Sequence, residues 1–540
     1  MGGSRDMSRK IIYSKCIYDG VSDEPFEGGV VFENDRILDA GSREALKKYE
    51  NGSVLIDVGD KMVMPGMFEN HMHFFSGATA LSEYCRNDLL LATSEEECAR
   101  MMKEYRDAHP GLSKYVGNGW LTITWGNAGL PTKRSLDQYF PDVPVYMIAA
   151  DSHSIWLNSK ALEEFETDEI SPNVVRFPDG ELTGVFKEEK ANEMLGVANE
   201  VPPEKKKTVQ ENLIHAFNSL GITSAGEMSG GIMISGPEMY DELEALEQED
   251  RLTVRMFLYS GILDTTYEKG IERVESLGRR FHSDRLRSTG FKIFADGVSA
   301  TFTAAMLEPY TDKPDTCGAL DFSAEDITGA VAAANMAGYP VRIHACGDYA
   351  VRVALDAFEE AKKKGASSDL RNAVEHIDIM HPDDIKRFQE LNVTASVQPC
   401  HVPQDAGEKI IRNGLERCRY EWPFRSLADA GAVLALGTDF PVETFNPFKN
   451  IYMTLTRCDL EGNCTCPNPE EAITLAEALK GYTANGAYLH GMEDELGTLT
   501  PGKYADIVVL DRNLFETPVE EIKDTQVVFT YMNGKLVYEK

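Results

Sequence analysis

No run of about 18 apolar residues occurs in this 540-residue chain, so a membrane-spanning helix is not expected. Positive charge is scarce: 54 lysines and arginines stand against 88 aspartates and glutamates, a net charge of −34 at pH 7. A surface of that sign repels nucleic acid and anionic lipid, so neither is expected as a partner. Cysteine is sparse too. Ten residues are scattered over predicted strands and helices without framework spacing, which points to a reducing, cytoplasmic setting. The one local group, Cys458, Cys464 and Cys466, has neither the paired C-x-x-C spacing nor a nearby fourth donor. It reads as a loop carrying free thiols. The opening MGGSRDMSRK has no apolar leader and reads as an appended scar before a native start near Met7. A small-molecule substrate is the partner class left, with a homodimer open.

What is present is a regular alternation. Strand candidates fall at residues 67–75, 221–227, 253–260, 290–295, 339–344, 372–378, 394–397 and 432–438. Amphipathic helical stretches such as 349–364 and 382–391 separate the later ones. Eight such units predict an α/β fold, a distorted (β/α)8 TIM barrel over residues 67–490. Residues 10–66 and 491–540 hold short alternating strands, too few at either end to bury a core. They are expected to combine into one composite β-sandwich domain, closed near the C-terminus by an Asn533-Gly534 turn. The connection after the first strand is far too long for a barrel loop, so residues 78–215 are expected to form an inserted lid or subdomain. Within it, Ser94 and Glu97 are spaced as a capping box, as are Thr474 and Glu477 after the eighth strand.

Chemistry-bearing residues sit at the ends of these apolar runs. His71 and His73 end the first; residues i and i+2 of a strand share a face, so both imidazoles would reach one ion. Lys292 lies in the apolar run GFKIFADG, either paired with Asp296 or a nearby carboxylate, or held as a buried, neutral amine able to form a carbamate. His344 and His376 end the fifth and sixth runs, where barrel chemistry collects. Asp439 ends VLALGTDF, as a metal ligand or as the N-cap of the next helix. Trp120 and His153 in the insertion, Thr301 after the Lys292 run and His401 after the seventh strand are candidates for substrate contact. The tryptophan serves equally as core and the threonine as loop structure.

The motifs MVMPGMFENHMHF, GFKIFADGVSATFTAAMLEPY, VRIHACGDYAVRVALDAFE, VEHIDIM, SVQPCH, GTDFPVE and GTLTPGKYADIVVL resemble the amidohydrolase superfamily. The likeness is strongest to its family-3 branch, which contains the N-substituted formamide deformylases. GNGWLTITW and PVYMIAADSHSIWLNSKALE look like that branch's insertion, and the resemblance covers nearly everything beyond residue 10. Two departures stand out: Glu69-Asn70 ahead of His71, where the family more often has an aspartate, and the cysteine loop.

The resemblance implies two zinc ions and carbon dioxide held as N6-carboxylysine at Lys292. His71, His73 and Asp439 would hold the first ion, the Lys292 carbamate would bridge, and His344 with His376 would hold the second. The expected reaction is hydrolysis of an amide C–N bond, in an N-acyl, N-formyl or cyclic amide, by zinc-activated hydroxide with Asp439 moving the proton. The alternatives are a mononuclear zinc deaminase of a heterocyclic or aromatic amine, and a non-catalytic amidohydrolase-like scaffold. Deamination is disfavoured because the glutamate such enzymes carry three residues after the fifth-strand histidine is Gly347 here, with Asp348 one further on.

Overall fold

The computed structural model describes residues 9–540 except 127–128, 151, 167–170, 231–236 and 264. The chain divides into two compact units, one of Met1–Met72, Ile214–Gly230 and Leu243–Lys540, the other of His73–Leu213 and Gly231–Glu242.

The first unit is built on the expected barrel. Its strands are Met67–Met72, Ile222–Gly230, Arg255–Gly261, Leu286–Phe294, Val341–Ala345, Ala373–His376, Thr394–Val397 and Leu434–Leu436, paired parallel in chain order. Side chains of the strands and of the helices outside them form one apolar core, including Ile293, Ile343, Val374, Val397 and Leu436 with Val351, Phe358 and Leu479. The eighth strand returns to the first just beyond Leu436. The Asp439 amide donates to His71 O at 2.9 Å, and Asn70 Nδ2 donates to Leu436 O at 2.7 Å. Glu69 completes the seam, accepting from the Thr438 amide and hydroxyl, each at 2.8 Å. The Glu69-Asn70 pair, unusual in the sequence, thus closes the barrel.

Both chain ends enter one further sheet of eight strands. Lys535–Glu539, Val527–Met532 and Ile507–Leu510 lead into Met62–Pro65, Arg9–Ile17, Phe26–Glu33 and Arg36–Gly41, and Ser53–Asp57 pairs beside Arg9–Ile17. Alternation sorts its faces. Val63, Ile507 and Val509 pack with Ile12 and Val30, while Met62, Met64, Val508 and Leu510 join the barrel core. Asn533 and Gly534 both take positive φ, as a two-residue hairpin turn requires.

Several local expectations change. The first barrel strand stops at Met72, and His73 instead opens the helix Phe74–Ala80. The helix expected at 382–391 is a 3-10 turn, Pro382–Asp384, followed by Arg387–Leu391. Thr474 and Glu477 form the full capping box, whereas Glu97 reaches back past Ser94 to the Thr93 amide. The cysteine loop is not one of free thiols. Cys458 and Cys464 are joined in a disulfide. Asp459 and Asn463 bond to one another through backbone and side chain, closing the intervening turn and bringing the two cysteines together. Cys466 keeps its thiol, against Asn468 and Arg457.

The second unit carries a six-stranded sheet in the order Val174–Arg176, Leu182–Lys187, Ser154–Leu157, Val145–Ala149, Tyr115–Trp120 and Cys85–Arg86. Alternate residues feed two cores. Tyr115, Met147, Trp156 and Val185 pack with the helix Glu95–Ala108, while Val116, Tyr146, Ile155 and Phe186 pack with Glu189–Asn199. Among the described residues, no helix is long and apolar enough to cross a membrane.

Candidate metal centre

At one end of the barrel, donors from the first, sixth and eighth strands converge. Donor atoms of His71, His376 and Asp439 all lie within 4.8 Å of one another, and all three residues are buried. His71 Nε2 stands 3.4 Å from Asp439 Oδ1, and the His71 and His376 ring centroids are 4.9 Å apart. His376 and Asp439 have φ of 72° and 61°, left-handed values at which a non-glycine residue carries about 1–3 kcal/mol of strain. That backbone turn lets the chain use neighbours that a regular strand would send to opposite faces. Glu375 and His376 adjoin in sequence, yet both meet His71.

Two charged residues that the sequence reading passed over hold this arrangement. Glu375 Oε2 lies 2.6 Å from His71 Nδ1, and Glu375 Oε1 accepts from Arg342 Nε at 2.5 Å. Arg342 also donates to Ser396 Oγ at 2.9 Å. All four side chains are buried. With Nδ1 engaged by the carboxylate, Nε2 is the nitrogen presented to Asp439 and to any ion. A charged residue within VRIHA or AVEH, otherwise apolar barrel strands, was the available signal.

Electrostatics favour cation binding. Burial lowers the His71 pKa to about 4, with Lys292 adding to the effect against Glu375 and Asp439. Burial, then the His344 and His71 rings and Lys292, hold His376 well below the usual histidine range. Both imidazoles are therefore neutral at pH 7 with a lone pair to give. Burial would raise the Glu375 carboxyl, but Arg342, His71 and Lys292 outweigh it and keep it ionised. Lys292 is fully buried, and no acceptor among the described residues hydrogen-bonds its Nζ. Burial brings its pKa down to about 8 against the pull of Glu375 and Asp439. The anticipated pairing with Asp296 is absent, since Asp296 instead accepts the amides of Ala305, Cys346 and Gly347 at 2.8–3.0 Å.

Two imidazoles and a carboxylate are an ordinary donor set for zinc or a similar divalent cation, and buried donors of this kind suit one. A family model described as "Amidohydrolase family" (Amidohydro_3) matches residues 54–538.

The chain belongs to the amidohydrolase family.

Members of the family are metal-dependent, and this chain is a hydrolase with buried residue groups that could hold a metal. It is 28% identical to "Protein LONG AFTER FAR-RED 3" of Arabidopsis thaliana over 98% of this chain and 91% of the relative. To the N-substituted formamide deformylase of Arthrobacter pascens it is 26% identical, over 90% of each chain. The crystal structure of an uncharacterized metal-dependent hydrolase from Pyrococcus horikoshii OT3 superposes with a TM-score of 0.76 at 27% identity, covering 95% of this chain and 99% of that one.

Within this amidohydrolase the remaining candidates separate. His344 ends the fifth strand with its ring centroid 4.4 Å from that of His376, and its Nε2 faces Asp296 and Cys346. His73 is buried at the start of Phe74–Ala80 and lies in neither group of converging donors. His401 opens the helix His401–Asn413 with its ring 6.4 Å from that of His376. Thr301 ends a 3-10 turn after Asp296 and pairs with the Thr303 hydroxyl at 2.7 Å. In the second unit Trp120 is core, stacked near Trp125 with its indole N–H on Met147 O at 2.8 Å. His153 Nδ1 meets Glu188 Oε2 at 2.7 Å. The next helix, Pro447–Thr456, is capped by Asn446 and not by Asp439. Asp348 accepts the Leu307 amide at 2.8 Å from the first turn of Asp348–Lys363.

Proposed function

We propose that this chain hydrolyses the C–N bond of a small amide, an N-acyl or N-formyl amine or a cyclic amide, at a zinc centre. The observation that carries the reading is the buried convergence of His71, His376 and Asp439, with the buried Lys292 amine close enough to interact electrostatically with His71 and Asp439. The relative named N-substituted formamide deformylase, matched along nearly its whole length, supports the bond class. When bound, a divalent cation supplies Lewis acidity and lowers the pKa of a coordinated water from about 15.7 to about 7.

The residues then divide the work. His71, fixed by Glu375, and His376 would give neutral nitrogens to the ion. Asp439, at the strand end, accepts the proton of the attacking water and delivers it to the departing nitrogen as the C–N bond breaks. Lys292 takes up carbon dioxide through its neutral amine, forming an N–C bond with loss of a proton, and becomes an anionic N6-carboxylysine beside the donor set. His401, whose ring lies 6.4 Å from that of His376, contacts the substrate in this reading.

A hydrolysis screen of N-formyl, N-acetyl and cyclic amides with zinc-loaded protein tests this. Equal amounts of amine and carboxylic acid, formate for a formamide, are expected. Ammonia released from a heterocyclic amine with every amide left intact would overturn it in favour of deamination.

A further inference from the structure

The fold brings a second set of metal-binding groups together that the sequence reading did not anticipate. Asp296 follows the fourth strand, His344 lies on the fifth, and Cys346 comes two residues after His344. Donor atoms of the three lie within 4.8 Å of one another, and all are buried. His344 Nε2 is 3.5 Å from Cys346 Sγ and 3.7 Å from Asp296 Oδ1. The ring thus turns its Nε2 toward this group. We propose that Asp296, His344 and Cys346 form a distinct second metal position, one that takes a thiolate-tolerant divalent ion such as zinc or cobalt.

Three observations support it. First, Asp296 is held rigidly without being used up. Among the described residues, Oδ2 accepts two amides, from Ala305 and Gly347, whereas Oδ1, the oxygen facing His344, accepts that of Cys346 alone. One Oδ1 lone pair is left for a cation. Second, Cys346 is locked in place, because the amides of Cys346 and Gly347 both end on the Asp296 carboxylate. A Cβ on Gly347 would lie 2.0 Å from Ala305 O, so the loop that carries the thiol has no room to shift. Third, the position adjoins the first donor set through the His344 and His376 rings, 4.4 Å apart, and the Lys292 amine feels both Asp439 and Cys346.

The donor set is one nitrogen, one oxygen and one sulfur. Sulfur shifts preference toward zinc or cobalt and away from magnesium, calcium and manganese. On binding, the S–H bond breaks, a sulfur–metal bond forms and one proton leaves to solvent. The assignment rests on the metal-centred reading above but redraws it, pairing His344 with Asp296 and Cys346 in place of His376.

Cobalt(II) separates the possibilities. Protein stripped with a chelator is titrated with cobalt(II) and followed by absorption. A thiolate-to-cobalt charge-transfer band in the near ultraviolet is expected to grow with one equivalent. Cys346→Ser and Cys346→Ala should both lose that band and bind the same equivalent roughly tenfold or more weaker, while visible cobalt bands from the other equivalent persist. Cobalt taken up by the wild type without the band, or a band unchanged in either variant, overturns the second position yet leaves a metal hydrolase standing. No uptake at all overturns both readings. The wild-type spectrum decides even if a variant fails to fold.

Discussion

His71 Nδ1 and Glu375 Oε2 lie 2.6 Å apart, and the other oxygen of the same carboxylate accepts from Arg342. One buried carboxylate therefore orients the imidazole of His71 and neutralises a buried guanidinium. Removing one member of a buried charge pair costs about 3–5 kcal/mol, because the partner is left uncompensated. Glu375→Ala should destabilise the fold on that scale, read by thermal or denaturant unfolding. Glu375→Gln keeps the shape and should bind zinc about 10- to 100-fold more weakly. Wild-type zinc affinity in Glu375→Gln would show that the carboxylate does not act through His71.

The proposed reaction gives the proton transfer to Asp439. Asp439→Asn should fold and retain zinc, by metal analysis, yet lose at least about two orders of magnitude in turnover on the best amide from the screen. A near-normal rate would take proton transfer away from this side chain.

Lys292 buries an amine that has no hydrogen-bond acceptor among the described residues. Protein loaded with 13C-labelled bicarbonate and zinc should give a carbamate carbon resonance, and Lys292→Met should abolish it together with most activity. The apo form of Lys292→Met should be at least as stable as the wild type, because the replacement removes a buried group that is costly to charge. A carbamate signal surviving in Lys292→Met would assign it elsewhere.

Lys114, in the second unit, offers a separate pH test. Burial lowers its pKa from 10.5 to about 8, partly offset by Glu200 and Glu164. Between those two values the unfolded chain binds more protons at this site than the folded one, so this term makes stability rise with pH across the window. Below it the amine is charged in both states and the folded protein bears the full desolvation cost. Lys114→Met should therefore raise the melting temperature at pH 7, with the gain shrinking as pH climbs through the window. An equal gain at every pH would mean that packing, and not charge, causes it.

Much of the site was legible because barrel strands are short apolar runs, and a histidine, lysine or aspartate at the end of one stands out. His71, Lys292, His344, His376 and Asp439 were singled out on that ground, and the structure gathers His71, His376 and Asp439 into one donor group. Glu375 and Arg342 were not singled out, since a charge beside a prominent histidine looks like ordinary alternation when the register to the next strand is unknown. Only the pairing of His344 with Glu375 and of Arg342 with Ala373 across neighbouring strands places them under His71. Cys458 and Cys464 read as free thiols for a related reason. Six residues of separation say nothing of geometry until the Asp459–Asn463 turn is seen to bring them together.

The sequence by itself determined the periodic pattern, and with it the barrel, an extra β domain and the residue types available to an ion. Such patterns are local, written by which side chains avoid water over a few residues. That the chain ends share one eight-stranded sheet came from the structure. Only the tertiary structure decided which donors share a centre. It joined His376 to His71 and Asp439, and set His344 beside Asp296 and Cys346. That choice depends on strand register, on backbone turns at His376 and Asp439, and on buried hydrogen bonds between residues hundreds of positions apart, none of which leaves a trace in local sequence.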